Sequence, residues 1–184
     1  MNAPSPTRPE EVVAFWRDAG GSKWYGKDES FDRDIATRFS QTHALAAAGR
    51  LDDWADTPMG ALALLLLLDQ FSRNLFRGSP RIFAQDAAAR RIAGAALDRG
   101  FDRQIDGPLR QFFYLPFMHS EHIADQERCV ALCHSLPDAG TLPFARDHER
   151  IVRKFGRFPH RNTVLDRHTS PAEQAFLEAG GFAG

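Results

Sequence analysis

Several signatures of common enzyme and cofactor sites are absent from this chain of 184 residues. It contains no Gly-x-Ser-x-Gly, no phosphate-binding Gly-x-x-x-x-Gly-Lys-Ser/Thr loop, no Gly-x-Gly-x-x-Gly and no Cys-x-x-Cys. Each pattern places backbone amides, a nucleophile or paired thiols where a known chemistry needs them. Their absence removes support for the usual hydrolase, nucleotide-binding and thiol-redox classes, and the sequence indicates no particular cofactor.

Cysteine is scarce, and a hydrophobic run long enough to cross a bilayer is missing. Cys129 and Cys133 lie four residues apart, so on a helix they share one face and are expected to be buried hydrophobic residues rather than a disulfide. The longest apolar run, Met59 to Leu68, has about half of the ~20 residues that a membrane helix needs. Residues 1–9 lack the basic start and apolar stretch of a signal peptide. We therefore expect a cytoplasmic protein without membrane association.

Neither sign of charge is in excess. The chain has 23 Lys and Arg against 24 Asp and Glu, a formal net charge of -1, and the two signs are interspersed along it. This pattern argues against nucleic acid or an anionic membrane as a partner. With 43% hydrophobic residues at this length, the composition predicts a single compact domain, which we place at residues 9–184 after a flexible tail at residues 1–8.

Residues that typically start and end helices are abundant, whereas the alternating pattern of β-strands and their hairpin turns is absent. Three segments begin with a hydroxyl residue and proline and end with glycine: Thr57-Pro58 to Gly78, Ser79-Pro80 to Gly100, and Ser170-Pro171 to Gly180. Two helix starts fit the capping box, namely Thr7 with Glu10 and Ser170 with Glu173. Further helices are expected from 31 to 49, 108 to 115, 116 or 120 to 136, and 144 to 155. The sequence predicts an all-α fold of seven or eight helices, stacked as antiparallel pairs in a helical-repeat-like array.

Polar and charged residues interrupt apolar and aromatic sequence in three short motifs. Motif 1 is Leu68–Asn74, motif 2 is Pro116–Gln126 and motif 3 is Arg157–Asn162. An unpaired buried ion is strongly destabilising. Each motif is therefore expected to be either an internal ion-pair network or the floor of a binding site.

Motif 1 follows a run of leucines that cover every side of their helix, which indicates a central helix surrounded by protein. Asp69, Gln70, Arg73 and Arg77 project from one side of that helix, with Asp69 and Arg73 one turn apart. Arg73 is then either a receptor for an anion, oriented by Asp69, or half of a structural ion pair that joins two helices.

Motif 2 carries the candidate catalytic residues. If one helix runs unbroken from His119, its apolar side also holds His122, Asp125 and Gln126, which suggests a pocket. His119 would be a general acid or base oriented by Glu121 or Asp125, because imidazole titrates near neutral pH. The alternative is a hydrogen-bonded core histidine. No metal is assigned to these residues, because they lack a spacing such as His-Glu-x-x-His.

Motif 3 follows a predicted helix end at Gly156 and is rich in cations. A favourable interaction with the helix dipole is one explanation for Arg157, His160 and Arg161. The other is that His160 and Arg161 fold back onto the acidic groups of the other motifs.

Together with their neighbours, Leu67–Gly78, Tyr114–Gln126 and Phe155–Asn162, the motifs resemble the bacterial family named domain of unknown function 924. The resemblance spans nearly the whole chain, from Trp24 and Phe31-Asp32 to residues 173–177. It implies an all-helical fold similar to tetratricopeptide repeats, and no established activity. By motif match it points to twelve positions: Asp69, Gln70, Arg73, Asn74, His119, Glu121, Asp125, Gln126, Arg157, His160, Arg161 and Asn162.

The chain departs from the pattern of that family at three positions. Ser72 stands where proline is common, His122 where aspartate is common, and Asp166 where glycine is common. The departure at His122 argues further against a metal site, because a ligand position would not be expected to vary in this way.

The sequence is compatible with two functions. The first is a pocket formed by all three motifs that binds a small anionic molecule, with a hydrolase-like reaction at His119, Glu121 and Asp125 as a variant of it. In that reading the nine other matched positions bind the ligand. The second is an interaction module, in which the motifs are structural ion-pair networks and a helical groove binds a protein segment.

Overall fold

A computed structural model describes residues 7–137 and 140–182 of the chain, which form only helices and their connections. Its α-helices are α1 (Pro9–Ala19), α2 (Gly21–Trp24), α3 (Glu29–Ala47), α4 (Pro58–Leu65), α5 (Ser72–Leu75), α6 (Asp86–Asp98), α7 (Leu115–Met118), α8 (Ile123–Cys133), α9 (Thr141–Phe155) and α10 (Pro171–Glu178). A π-helix, Leu66–Phe71, joins α4 to α5. Short 3₁₀-helices are Asp52–Asp56, Pro80–Phe83, Phe101–Gln104, Gly107–Phe113 and Pro159–Arg161. Seven of these α-helices have eight or more residues, so the predicted all-α class is confirmed, while the repeat-like stacking in antiparallel pairs stays a prediction.

Two of the predicted helix starts are present as expected. The Thr57 hydroxyl accepts a hydrogen bond from the Gly60 amide at 3.1 Å, and α4 begins at the following proline. Ser170 and Glu173 form the predicted capping box at the start of α10. In both places a side-chain oxygen satisfies a backbone donor that the helix itself leaves unpaired.

The capping box predicted at Thr7 and Glu10 is wrong by one residue. Arg8 occupies the N-cap position of α1 and is paired with Glu11. The Thr7 amide instead donates to the Thr42 hydroxyl at 3.2 Å, which ties the start of the chain's described part to α3. Residues 1–6 of the expected tail lie outside the described residues.

The helix predicted from Ser79 to Gly100 is divided. Its first part is the 3₁₀-helix Pro80–Phe83, and α6 starts only at Asp86. Gly100 has a φ of 68°, in the left-handed region that glycine adopts without strain, so the predicted end of the segment is correct.

The chain divides into two compact units. The first comprises the residues up to Arg77 together with Arg81–Pro116, and the second comprises Gly78–Pro80 and the residues from Phe117 onward. Motif 1 thus belongs to the first unit. Motif 3 and all of motif 2 except Pro116 belong to the second. The single domain predicted for residues 9–184 stays a prediction.

The first unit is built around α4 and the π-helix. Every residue from Ala61 to Leu68 is at most 2% exposed, as the leucine pattern predicted. Helices α1, α3 and α6 pack against this central segment. Trp16 lies beside it, with its ring centroid 5.5 Å from that of Phe71 and 5.7 Å from that of Phe112. No helix in the described ranges is long and apolar enough to cross a membrane.

The π-helix coincides with motif 1. It includes Asp69 and Gln70, which are both buried. A π-helix is rare because its wider turn is less favourable than that of an α-helix, and it is frequently found at functional sites. No pattern in the sequence indicated this change in helix geometry.

The second unit is built on α8, α9 and α10. Helix α8 packs against α9, and α10 packs against the 3₁₀-helix Pro159–Arg161. A small core of Ile151, Val152 and Phe158 is completed by the rings of Phe155 and Phe176. This core holds motif 3 in place beside the C-terminal end of α9.

Packing at Gly60 provides a test of the first unit. Alanine normally stabilises a helix interior relative to glycine by about 1 kcal/mol. A Cβ on Gly60, however, would overlap the Trp54 carbonyl oxygen and lie 2.8 Å from its carbon. We expect Gly60→Ala to lower the free energy of unfolding by about 1 to 3 kcal/mol in urea denaturation.

The control for this substitution is Gly21→Ala. A Cβ on Gly21 would meet no atom within 4 Å, so this change should be neutral or slightly stabilising. An unchanged or raised stability of Gly60→Ala would contradict the close approach of the Trp54 backbone to α4.

Candidate functional site

Motif 1 forms a buried ion-pair network within the first unit. Arg73 Nη2 lies 3.2 Å from Asp69 Oδ1, and both guanidinium Nη atoms donate to Asp86 Oδ1 at 3.2 Å. Gln70 Nε2 donates to the other Asp69 oxygen at 2.5 Å. The Asp69 side chain is 2% exposed and that of Arg73 is 20% exposed. Asp86 on α6 is a second carboxylate partner that the sequence reading did not predict.

This network accounts for the charge on Arg73. Burial alone would lower the pKa of the guanidinium, but Asp69 and Asp86 outweigh that effect and the pKa is raised. Arg73 also donates to the carbonyl oxygen of Ile82 at 3.3 Å, so its fork connects the π-helix to the 3₁₀-helix Pro80–Phe83. These contacts support the interpretation of Arg73 as half of a structural ion pair that joins two helices.

The remaining polar residues of the same segment point to a different partner. Asn74 Nδ2 donates to Asp32 Oδ1 at 2.7 Å, and Arg77 Nε donates to Asp32 Oδ2 at 2.6 Å. Asp32 lies on α3, so this second network connects α5 to α3. Arg77 therefore does not share the carboxylate partners of Arg73.

The unbroken helix considered for motif 2 is wrong. Helix α7 ends at Met118 and α8 starts at Ile123, so a loop separates them. The Gln126 amide group satisfies carbonyl oxygens at the end of α7 by donating to Met118 at 2.7 Å and to Ser120 at 2.6 Å. Gln126 therefore holds the broken backbone of motif 2 in place.

Other residues of motif 2 shape the same loop. The Ser120 hydroxyl donates to Asp125 Oδ2 at 2.6 Å and accepts from the His122 amide at 3.2 Å. The His122 side chain is exposed. Asp125 thus fixes the start of α8, and a catalytic role for it with His119 stays a prediction.

Motif 3 folds onto motif 2 in the second unit. Arg161 Nη2 donates to the His119 carbonyl oxygen at 2.8 Å. Glu121 accepts from the Phe158 amide at 2.9 Å, and both its oxygens accept from Arg167 at 2.9 Å. Arg167 lies beyond motif 3 and was not predicted. The contact between the two motifs is thus formed by one backbone carbonyl and one carboxylate.

The electrostatics of this contact favour charged Glu121. Burial would raise the pKa of Glu121, but the hydrogen bonds from Arg167 and the Phe158 amide outweigh it and hold the pKa below its usual value. Arg157 makes a separate pair with Glu173 on α10, at 2.6 Å from Nε to Oε1. Asn162 Nδ2 donates to the Thr169 hydroxyl at 3.3 Å. Arg157, Asn162 and Glu121 therefore act as anchors of the loop that carries motif 3.

Two histidines of the second unit share an aromatic environment. His148 lies on α9, and its ring centroid is 5.3 Å from that of Phe158 and 4.5 Å from that of Phe182. The His160 ring is 5.5 Å from Phe158 and 5.0 Å from Phe182. His148 was missed by the sequence reading, because a single histidine inside a helix that is not near any motif carries no local signal.

Both imidazoles are neutral at pH 7. Burial is the main reason that the pKa of His148 falls to about 4, and His119 and Arg161 contribute in the same direction. Burial also lowers the pKa of His160 to about 4, followed by the effects of Arg161 and His148. His119, His148, His160 and Arg161 therefore influence one another electrostatically.

The structure therefore sorts the predicted site residues into two groups. Asp69, Gln70, Arg73 and Asn74 lie in the first unit, and His119, Glu121, Asp125, Gln126, Arg157, His160, Arg161 and Asn162 lie in the second. Motifs 2 and 3 are in direct contact, while a common pocket of all three motifs stays a prediction. Among the described residues there is no group of three or more His, Cys, Asp or Glu that could hold a metal ion.

Comparison with known proteins gives a family but no activity. Residues 12–181 match the family described as bacterial protein of unknown function, DUF924. The chain is similar to a solved structure of a protein of unknown function from Agrobacterium tumefaciens, with 46% sequence identity and a TM-score of 0.90 over 94% of this chain and 97% of that one. No curated protein matches the chain.

The network of motif 1 makes a prediction about Arg73. Arg73→Ala leaves Asp69 buried without its guanidinium, so we expect the free energy of unfolding to fall by about 3 to 5 kcal/mol in chemical denaturation. Arg77→Ala is the matched control, because Arg77 pairs on the more exposed side of the same segment and should cost about 1 kcal/mol or less. An Arg73→Ala protein as stable as the wild type would contradict the structural role and favour a ligand-binding one.

Proposed function

This chain belongs to the DUF924 family of bacterial proteins, and we propose that it binds a small anionic molecule at a site in its second unit. The site consists of His148, His160 and Arg161, next to His119 and beneath the ring of Phe182. The proposal rests on the observation that both histidines lie among aromatic rings and that each has a ring nitrogen without a hydrogen-bond partner among the described residues.

The tautomer of His148 follows from its hydrogen bond. His148 Nδ1 lies 2.8 Å from the Phe144 carbonyl oxygen, which can only accept, so Nδ1 carries the hydrogen. In a neutral ring the other nitrogen, Nε2, is then an acceptor. Anion binding with proton uptake would turn this nitrogen into a donor aimed at the ligand.

His160 has a buried nitrogen that needs a partner. Its Nδ1 is buried and has no hydrogen-bond partner among the described residues. Leaving such a group unsatisfied costs about 1 to 3 kcal/mol. A bound ligand would supply the missing hydrogen bond, whereas a purely structural histidine would be expected to find one within the protein.

The local field favours a negative ligand. Arg161 lowers the pKa of His160 more than Glu121 raises it, so the net field at this imidazole is positive. His148 experiences a similar field from His119 and Arg161, which Asp147 only partly offsets. An anion in this place would interact favourably with Arg161 and would raise the pKa of both histidines.

An interaction module is the second candidate, and it rests on a different observation. Phe144 is 60% exposed on α9, and Phe182 is 37% exposed above the two histidines. Exposed aromatic rings are enriched at the centre of protein interfaces. In that case the contacts of Arg73, Glu121 and Arg157 would be structural throughout. A hydrolase-like reaction at His119 would require an anionic substrate in the same place and is a variant of the first proposal.

The pKa values of the two histidines predict how protein stability and anion affinity change with pH. Since the folded pKa of His148 and His160 is about 4 and the ordinary value is 6.5, ligand-free stability should be full above pH 6.5 and decline as the pH falls toward 4. A bound anion raises both pKa values, so affinity should increase from pH 7.5 to pH 5.5, by up to about tenfold per pH unit for each proton taken up. Thermal melting with inorganic phosphate and a panel of small carboxylates at the two pH values measures both effects.

Two substitutions and one control locate the binding site. His148→Gln and His160→Gln remove the titrating groups and should abolish the pH dependence of the ligand-induced shift. His122→Ala removes an exposed histidine of motif 2 and should leave it unchanged. A ligand at 100 times its dissociation constant adds about 2.7 kcal/mol of stability. If no anion of the panel raises the melting temperature of the wild type at either pH, the proposed function is wrong.

A further inference from the structure

A groove is lined entirely by residues of the first unit. It has a volume of about 560 Å³, which is within the range of small-molecule sites. Five alanines from α3 and the segment after Phe83 form much of its wall: Ala36, Ala44, Ala47, Ala48 and Ala84. Leu75 and Phe76 add further apolar surface to the wall of the groove. We call this feature the His43 groove, after the buried histidine that lines it.

A cation lines the same groove. The Arg81 guanidinium carbon lies 3.9 Å from the centroid of the Phe76 ring, so the side chain is held flat against an aromatic wall. Its positive charge would attract a carboxylate that enters the groove. The groove therefore combines one positive group with a short apolar surface.

The hydrogen-bonding role of His43 follows from its neighbour. The Ser72 hydroxyl donates its only hydrogen to the Leu68 carbonyl oxygen at 2.6 Å. It must then accept from His43 Nε2, which lies 2.9 Å away. Nε2 thus carries a hydrogen, and in the neutral ring Nδ1 is an acceptor.

The second nitrogen of His43 is the group that points to a ligand. His43 is 5% exposed and lines the groove, and among the described residues its Nδ1 takes part in no hydrogen bond. Burial, followed by the charge of Arg81, lowers the pKa of His43 to about 4, so the ring is neutral at pH 7. An acceptor of this kind is satisfied by a hydroxyl or amine donor, but not by a carboxylate oxygen.

From these features we infer that the His43 groove binds a short-chain carboxylate that also carries a hydroxyl group. The carboxylate pairs with Arg81, the hydroxyl donates to His43 Nδ1, and the hydrocarbon part packs on the alanines and Phe76. The inference does not depend on the site proposed around His148 and His160.

The groove is connected to the unusual geometry of motif 1. The hydrogen-bond chain from His43 through Ser72 ends on the carbonyl of Leu68, which lies inside the π-helix. Because π-helical turns are frequently found at functional sites, one at the far end of this series of hydrogen bonds supports a ligand at the near end. These hydrogen bonds also fix the tautomer of His43 in which Nδ1 can accept a hydrogen bond from the hydroxyl group of the ligand.

Calorimetric titration of the wild-type chain with 3-hydroxybutyrate and with butyrate tests the inference. The two acids differ by one hydroxyl group, whose hydrogen bond to a buried neutral acceptor should make 3-hydroxybutyrate bind about tenfold more tightly. His43→Phe keeps an aromatic ring beside Phe76 but removes the acceptor, so both acids should then bind equally. Arg81→Gln should weaken both acids while preserving their ratio.

Three further variants keep the result decisive. Arg38→Gln removes an arginine that lies over Phe15 elsewhere in the first unit, and should change neither affinity. His160→Gln should also leave both affinities unchanged, which separates this groove from the site of the second unit. If His43→Phe does not fold, Ala44→Leu fills the groove from the exposed side of α3 and should abolish binding of both acids.

Several results would overturn the inference. The wild type binds neither acid, or it binds both with equal affinity, or Ala44→Leu leaves binding unchanged. An equal loss of affinity in Arg38→Gln and Arg81→Gln would likewise assign the binding to general electrostatic attraction and contradict the groove.

Discussion

The structure depends on pairing the charges that lie inside its apolar helices. Asp69 follows a segment in which every residue is at most 2% exposed, and its charge is tolerated because Arg73 bridges it to α6. The same solution recurs for Glu173, which Arg157 pairs, and for Glu121, which Arg167 pairs. Arginine suits this task because one planar fork can satisfy a carboxylate and a carbonyl together. Most of the polar residues in the three motifs are therefore occupied in holding helices to one another.

The groups that the proposed sites use, apart from these ion pairs, are neutral histidine side chains. His43 in the first unit, and His148 and His160 in the second, all have pKa values near 4 because they are buried and lie close to arginines. A neutral imidazole beside a guanidinium provides an acceptor and a cation at once. Both proposed sites use this combination, and neither relies on the arginines that hold Asp69 and Glu173.

Local sequence patterns predicted the elements better than the contacts between them. The cap at Thr57, the capping box at Ser170 and the buried leucines could be read directly, because each depends on neighbours within one or two turns. The break after Met118 could not, since it is stabilised by Gln126, whose amide reaches back to three carbonyl oxygens. Asp86 and Arg167 were missed for the same reason, because their partners Arg73 and Glu121 are distant in the chain. Asp166, where the resemblance implied glycine, has a φ of 51°, which explains why glycine suits that position.

His43, His148 and His160 are neutral, and His43 and His148 hold defined tautomers that leave one ring nitrogen for a ligand. Two-bond ¹H–¹⁵N correlation spectra of the protein with ¹⁵N-labelled histidine report the protonation of each ring nitrogen directly. At pH 6 we expect neutral rings for His43, His148 and His160, with hydrogen on Nε2 of His43 and on Nδ1 of His148. Doubly protonated rings at this pH, or the opposite tautomers, would contradict this assignment.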